Sequence, residues 1–263
     1  MIKKTVELEV QNLHFQYIKN KDVFREVCFS LVPGDILSIL GGNGTGKSTL
    51  LCCIAGLLRP FQGEIMLNHK RISSMSRNEI AKTIGFVPQL HGSDFAYSVL
   101  EYTVMGRAPY IRLYQKPSEN DYAIARHNLE KLNMIHLEHK IFTELSGGEQ
   151  QLVMIARVLT QETPVIILDE PSNHLDYGNQ YHVLDILRQL ASEGYMIMIS
   201  THNPDHALML GGKAAILQEN GILITGETNQ LLTGERLSAQ YHSTVYVEYN
   251  ATAGRNLCFI SNK

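Results

Sequence analysis

The 263-residue chain carries 23 Lys+Arg against 26 Asp+Glu, a formal net charge of −3, with 44% hydrophobic and 19% charged residues. That balance suits a globular protein of one large domain, or one domain with an insertion, and offers no electrostatic footprint for nucleic acid. The sequence MIKKTVELEV alternates and forms no apolar signal core, no window approaches the ~18 apolar residues of a membrane span, and Cys28, Cys52, Cys53 and Cys258 have no metal-ligand spacing and read as free thiols.

In chain order, TVELEV (5–10) and VFREVCFSLV (23–32) read as strands, bounded by KNKD and PGD turns. ILSIL (36–40) is apolar on both faces, as a buried parallel strand requires. A glycine-rich stretch follows, and KSTLLCCIAGL (47–57) then has helical length and pattern. GEIMLN (63–68) and IGFV (84–87) read as strands, and SRNE (76–79) as a capping box opening a short helix. Ser118 with Asp121 reads as a further helix start, within a mainly helical pattern over 98–161. Strands return at VIILD (165–169), MIMIS (196–200) and AAILQ (214–218), separated by helical stretches at 178–193 and 204–211. ENG (219–221) signals a hairpin into ILIT, and the tail 227–263 reads as two short helices and a strand pair, VYVEY and NLCFI. Alternating strands and helices predict an α/β fold with a mostly parallel sheet.

Gly41-Gly42-Asn43-Gly44-Thr45-Gly46-Lys47-Ser48 has the spacing of a phosphate-binding loop and sits between a buried strand and a helix. Its glycines let successive backbone N–H groups face phosphate. Lys47 would reach the β- and γ-phosphates, and the Ser48 hydroxyl, with Thr49 beside it, would serve Mg²⁺ and nucleotide. Such a site needs a carboxylate for the metal and a group that activates water. Asp169 and Glu170 close the buried strand VIILD, where a parallel sheet opens its ligand crevice, so Asp169 suits the metal and Glu170 the attacking water. Lys47 and Asp169 are 122 positions apart, whereas one βαβ unit needs about 30 residues. The helical stretch between them is therefore expected to be an inserted subdomain.

Ser146-Gly147-Gly148-Glu149 fits a capping box, yet two glycines are costly at a helix start unless something approaches the backbone closely. The turn resembles an anion site without its cation, since no Lys or Arg follows before Arg157. His202 and His206 have the i,i+4 spacing of a metal pair, but Pro204 stands between them and no third ligand is evident.

Read together, the phosphate loop, VPQ (87–89), LSGGEQQ (145–151), VIILDEP (165–171), SNHLD (172–176) and STH (200–202) resemble the ATP-binding subunit of an ABC transporter, over nearly the whole chain and in that family's order. The resemblance implies a P-loop NTPase: a RecA-like parallel core with an antiparallel β subdomain over 1–89 and 162–226, a helical subdomain over 90–161, and a small C-terminal extension over 227–263. It implies ATP and Mg²⁺ as ligands. Tyr17 would stack on adenine; the alternative is a strand residue packed on the core. Gln89 would touch Mg²⁺ and the attacking water, Glu170 would be the general base, and His202 would contact the γ-phosphate. The SGGE turn would meet the γ-phosphate on a second copy of the chain, and Asp176 would cross the same interface. Leu152 departs from the family, many members of which carry Arg there.

The resemblance further implies integral membrane permease subunits docked near 90–117, a solute-binding protein reached through them, and a place on the cytoplasmic face of the cell membrane. MGRAPY (105–110) resembles the MGRxPY pattern of importers for ferric siderophores, haem, cobalamin and, in some members, molybdate or tungstate, which places Arg107 and Tyr110 among the expected docking residues. The alternatives are a soluble ABC ATPase of iron–sulfur cluster assembly and an importer of another solute class.

Overall fold

The computed structural model describes residues 6–19, 21–89, 96–173 and 175–260, and every structural statement below concerns those residues. Thr5 of the expected first strand, the segment 90–95 with Phe95, and His174 of SNHLD lie outside them.

The first strand outruns its expected limit at Val10. β1 (Leu8–Ile18) pairs antiparallel with β2 (Lys21–Leu31), and the register shifts after Val10. Gln11 and Asn12 are both exposed, and Asn12 takes a left-handed φ of 46°, so the alternation slips by one residue there. A bulge of this kind breaks the period-2 pattern without ending the strand. β3 (Ile36–Leu40) follows, then the glycine loop and α1 (Lys47–Ile54). β4 (Gln62–Leu67) returns to pair with β1, and β5 (Lys70–Arg71) completes a four-stranded antiparallel sheet in the order β2-β1-β4-β5.

After α2 (Arg77–Ala81), whose N-terminus carries the expected Ser76–Glu79 capping box, β6 (Ile84–Val87) enters a second sheet. The chain then leaves that sheet for a helical section of α3 (Val99–Val104), a 3₁₀ turn over Met105–Tyr110, α4 (Glu119–Lys131) and α5 (Gly147–Thr160). It re-enters with β7 (Val165–Leu168), α6 (Tyr177–Ser192), β8 (Met196–Thr201), α7 (Pro204–Leu210), β9 (Lys213–Leu217) and β10 (Leu223–Glu227). The sheet order is β10-β9-β3-β8-β7-β6, parallel except for the edge strand β10. α8 (Thr228–Leu231), α9 (Gly234–Tyr241) and the hairpin of β11 (Val245–Asn250) and β12 (Arg255–Ile260) form the two helices and strand pair expected of the tail.

Both faces of the parallel sheet are covered, which is why its strands read as unbroken apolar runs. Leu37, Ile39, Val165, Ile167, Met196 and Met198 face a core shared with α1 and the antiparallel sheet. Ile166, Leu168, Ile197 and Ile199 face the opposite core, beneath α5 and α6. Leu152, where the sequence departs from the family's arginine, is buried in that second core and contributes apolar packing there.

Candidate nucleotide site

Where β3 ends at the sheet's carboxyl edge, the chain curls through Gly41–Gly46 and straight into α1. Gly46 caps that helix at φ +104°, and a Cβ on it would come within 2.4 Å of Val23 Cγ1. Neither the backbone conformation nor the space admits another residue. The Lys47 side chain is 5% exposed, and its ammonium donates to Gly41 O and Gly42 O, each at 2.9 Å, closing the loop on itself. Thr45 Oγ1 also donates to Gly42 O, at 2.9 Å. Burial pulls the Lys47 pKa down, while Glu170 and Asp169 resist that shift.

A cavity of about 530 Å³ opens over this loop, a size fit for a nucleotide. Asn43, Gly44, Gly46, Lys47, Ser48 and Thr49 line it on one side, and Gln89, Glu170 and Asn173 on the other, with Tyr17 and Val23 at its edge. Tyr17 is 65% exposed, its hydroxyl lies 3.0 Å from Thr49 Oγ1, and its ring meets Phe15 edge-on at 4.8 Å. Tyr17 is thus largely exposed and lines the cavity beside the phosphate loop, with one edge against Phe15.

Asp169 and Glu170 are fixed together at the end of β7. Ser200 of β8 donates to Asp169 Oδ1 at 2.5 Å and accepts from the Glu170 N–H at 2.8 Å. Glu170 sits at φ +47°, a conformation uncommon for a non-glycine residue and typical of functional turns. Its carboxylate lies 3.7 Å from Lys47 Nζ, accepts from Asn173 Nδ2, and has His202 Nδ1 at 3.3 Å. Ser200 and Asn173 fall within STH and SNHLD, where no local signal sets them apart; only the fold brings both to these carboxylates. His206 turns the other way. It is buried with Nδ1 3.0 Å from Ser172 Oγ, and burial pulls its pKa down to about 4. The two histidines thus serve separate neighbours.

Ser146, Gly147, Gly148, Glu149 and Asp176 do not line the cavity. Ser146 caps α5 in a full capping box with Glu149, whose carboxyl is held below its usual range by the Ser146 hydroxyl and N–H. Ser146 and Gly147 are exposed. Gly148 is buried, and a Cβ there would come within 2.8 Å of Asn179 Nδ2. Asn179 is in turn bonded through its N–H and Nδ2 to the exposed Asp176, each at 2.8 Å. One of the two glycines therefore answers to a neighbour within the same chain, and the other presents bare backbone to solvent.

Arg107 departs from its expected place on a docking surface. It is 6% exposed, bonded to Asp121 Oδ1 at 2.9 Å, to Glu162 Oε2 at 2.5 Å and to Thr160 O at 3.1 Å. Its guanidinium lies 4.1 Å over the Tyr110 ring, and the Tyr110 hydroxyl donates to Gln161 O at 3.1 Å. MGRAPY thus rivets the helical section onto the C-terminal end of α5, where a cation also meets the helix dipole. Tyr110 itself stays 38% exposed, and just beyond MGRAPY Leu113 and Tyr114 are more exposed still, at 81% and 97%.

The donors fit Mg²⁺. Ser48 and Gln89 face the same cavity and offer hard oxygens, while Asp169, buried and bonded to Ser200, is not part of its lining but acts electrostatically on Lys47. A site with few protein ligands suits this ion, which keeps waters and binds phosphate oxygens.

A family model described as ABC transporter matches residues 24–173. The molybdate import ATP-binding protein MolC of Haemophilus influenzae is 41% identical over 240 residues, spanning 91% of this chain and 89% of that protein. The hemin import ATP-binding protein HmuV of Nocardia farcinica is 32% identical over 235 residues, spanning 89% of this chain and 81% of its own. A solved inward-facing structure of the metal-chelate type of ABC transporter superposes with a TM-score of 0.87 at 38% identity, covering 99% of both chains. With a phosphate loop, a carboxylate pair and a separate SGGE helix start in one α/β fold, the chain belongs to the ABC transporter family as an ATP-binding, ATP-hydrolysing subunit.

Proposed function

We propose that this chain powers the import of a metal chelate or related metal-containing solute through a partner membrane permease. The class is that of ferric siderophores, haem, cobalamin or molybdate. The names and types of its relatives support the class, and the cavity supports the engine. The observation that carries the reading is the division of the site: Lys47, Glu170 and Gln89 share one cavity, while the exposed Ser146–Gly147 backbone lies outside it. ATP-binding cassettes of this family dimerise and work with permease components. Two copies head to tail would bring the SGGE turn and Asp176 of one chain to the nucleotide of the other.

In this mechanism the loop N–H groups and Lys47 bind the phosphates, and the Tyr17 ring covers adenine. Mg²⁺, held by Ser48 and Gln89 with Asp169, would supply charge neutralisation on the phosphates. Glu170 accepts the proton of the attacking water, and His202, 3.3 Å from that carboxylate, fixes its orientation beside the γ-phosphate. Hydrolysis removes the group that joins the two copies, and their opening moves the permease docked on the helical section. The chain sits on the cytoplasmic face of the membrane through that permease.

Two measurements test this. Glu170→Gln with Mg-ATP is expected to scatter light as a dimer; a persistent monomer overturns the shared site. Vesicles carrying the chain with its permease are expected to take up a ferric chelate or molybdate only with ATP. Uptake of an amino acid or sugar in their place overturns the solute class.

A further inference from the structure

Between β8 and α7 the chain turns through His202 and Asn203. The turn's local bonds are few: the Asn203 N–H reaches Thr201 Oγ1 at 3.1 Å, and the Asp205 N–H reaches Asn203 Oδ1 at 2.9 Å. The His202 carbonyl instead takes its bond from far along the sequence, where the Tyr241 hydroxyl at the end of α9 donates at 3.0 Å. Asp205, in the first turn of α7, is gripped by Arg255 of β12 through two parallel bonds of 2.7 and 2.8 Å. It also accepts from the Tyr181 hydroxyl at 3.1 Å and the Cys258 N–H at 3.4 Å. Beneath these bonds Ala207 and Leu208 of α7 share one apolar core with Leu237 and Val245, against which Tyr241 and Cys258 also pack.

α8, α9 and the terminal hairpin therefore hold both sides of the short turn that carries His202. Burial raises the Tyr241 phenol above its ordinary range, so it stays a hydrogen-bond donor at any pH where the protein is used. A planar guanidinium paired in two bonds to one carboxylate fixes orientation as well as distance. Tyr241 bonds the carbonyl of the very residue whose imidazole meets Glu170, Arg255 holds Asp205 three residues further on, and neither side chain lines the nucleotide cavity.

We propose that Tyr241 and Arg255 are positioning residues for ATP hydrolysis, through which the C-terminal extension holds the His202 backbone so that its imidazole faces Glu170. The proposal rests on the reading of His202 as a contact of the reacting phosphate. Losing one such bond leaves nucleotide binding intact and lets the imidazole leave its place for part of the time. A loss of about three- to tenfold in kcat is expected, with the KM for ATP changed by less than about twofold.

The test is a double-mutant cycle on steady-state ATP hydrolysis with Tyr241→Phe, His202→Ala and their combination, repeated with Arg255→Ala in place of Tyr241→Phe. If the extension acts through His202, each change lowers kcat alone and has no further effect once His202 is alanine. A Tyr241→Phe enzyme with unchanged kcat, or an equal further loss in the His202→Ala background, overturns the proposal and leaves the role of His202 standing. A His202→Ala enzyme with unaltered kcat overturns the reading of His202 itself, and the proposal with it. General loosening of the fold would lower activity in both backgrounds, which separates positioning from stability.

Discussion

Glu170 is held by four neighbours of different kinds: Ser200 on its N–H, Asn173 and His202 on its carboxylate, and Lys47 facing it at 3.7 Å. In the proposed role of general base it would contribute about 10²–10⁴ in rate. Glu170→Gln is therefore expected to lower phosphate release by at least about a hundredfold while a fluorescent ATP analogue still binds, a pairing of assays that separates base from binder. His206 supplies a second prediction at this scale. Burial sets its folded pKa at about 4 against the ordinary 6.5, with the charges of Asp205, His202 and Arg255 adjusting that value. As pH falls, the unfolded chain takes up the proton first. Stability is thus full above pH 6.5, declines between 6.5 and about 4, and stops declining on this account below that. The loss from this group is of order 3 kcal/mol. Urea midpoints measured across that range should show the slope, and His206→Gln should flatten it.

At the scale of elements, MGRAPY changes meaning. Three anchors of Arg107 lie on different elements: Asp121 in α4, Thr160 at the end of α5, and Glu162 beyond it. Removing one partner of a buried ion pair costs about 3–5 kcal/mol, because the others are left uncompensated. Arg107→Ala is expected to lose that much in urea unfolding, and any loss of transport would follow from it. The sequence pattern marked the right residues for attention, but a residue-type pattern is silent on whether an arginine points outward or inward. Burial was decided by α4 and α5 closing over it. The bulged β1 is a comparable case. Its alternation is broken at Gln11–Asn12, so the sequence signal stops at Val10 while pairing to β2 continues to Ile18.

For the whole molecule, the helical section is the part that would pass motion to a permease, and Leu113 and Tyr114 are its most exposed large hydrophobic side chains among the described residues. Neither approaches the cavity over the phosphate loop. The double variant Leu113→Ser, Tyr114→Ser is expected to keep basal ATP hydrolysis and the urea midpoint, yet lose most stimulation by permease in vesicles. Unchanged stimulation would move the docking surface elsewhere on the helical section.

The sequence by itself determined the phosphate loop, the carboxylates at the end of VIILD, the α/β alternation, and the helix start at Ser146. Each depends on residues close together in the chain, with a local physical requirement: glycine for a tight backbone, buried strands for unbroken apolar runs, serine and glutamate three apart for a capping box. Tertiary structure alone decided which distant groups meet. Ser200 bridges Asp169 and the Glu170 N–H because β8 lies beside β7, and Asn179 fills the space left by Gly148 because α6 crosses α5 there. Tyr241 finds the His202 carbonyl only because the C-terminal extension packs on α7. Such pairings leave no periodic trace in the sequence: the partners lie dozens of positions apart, and each is an ordinary residue until the other arrives.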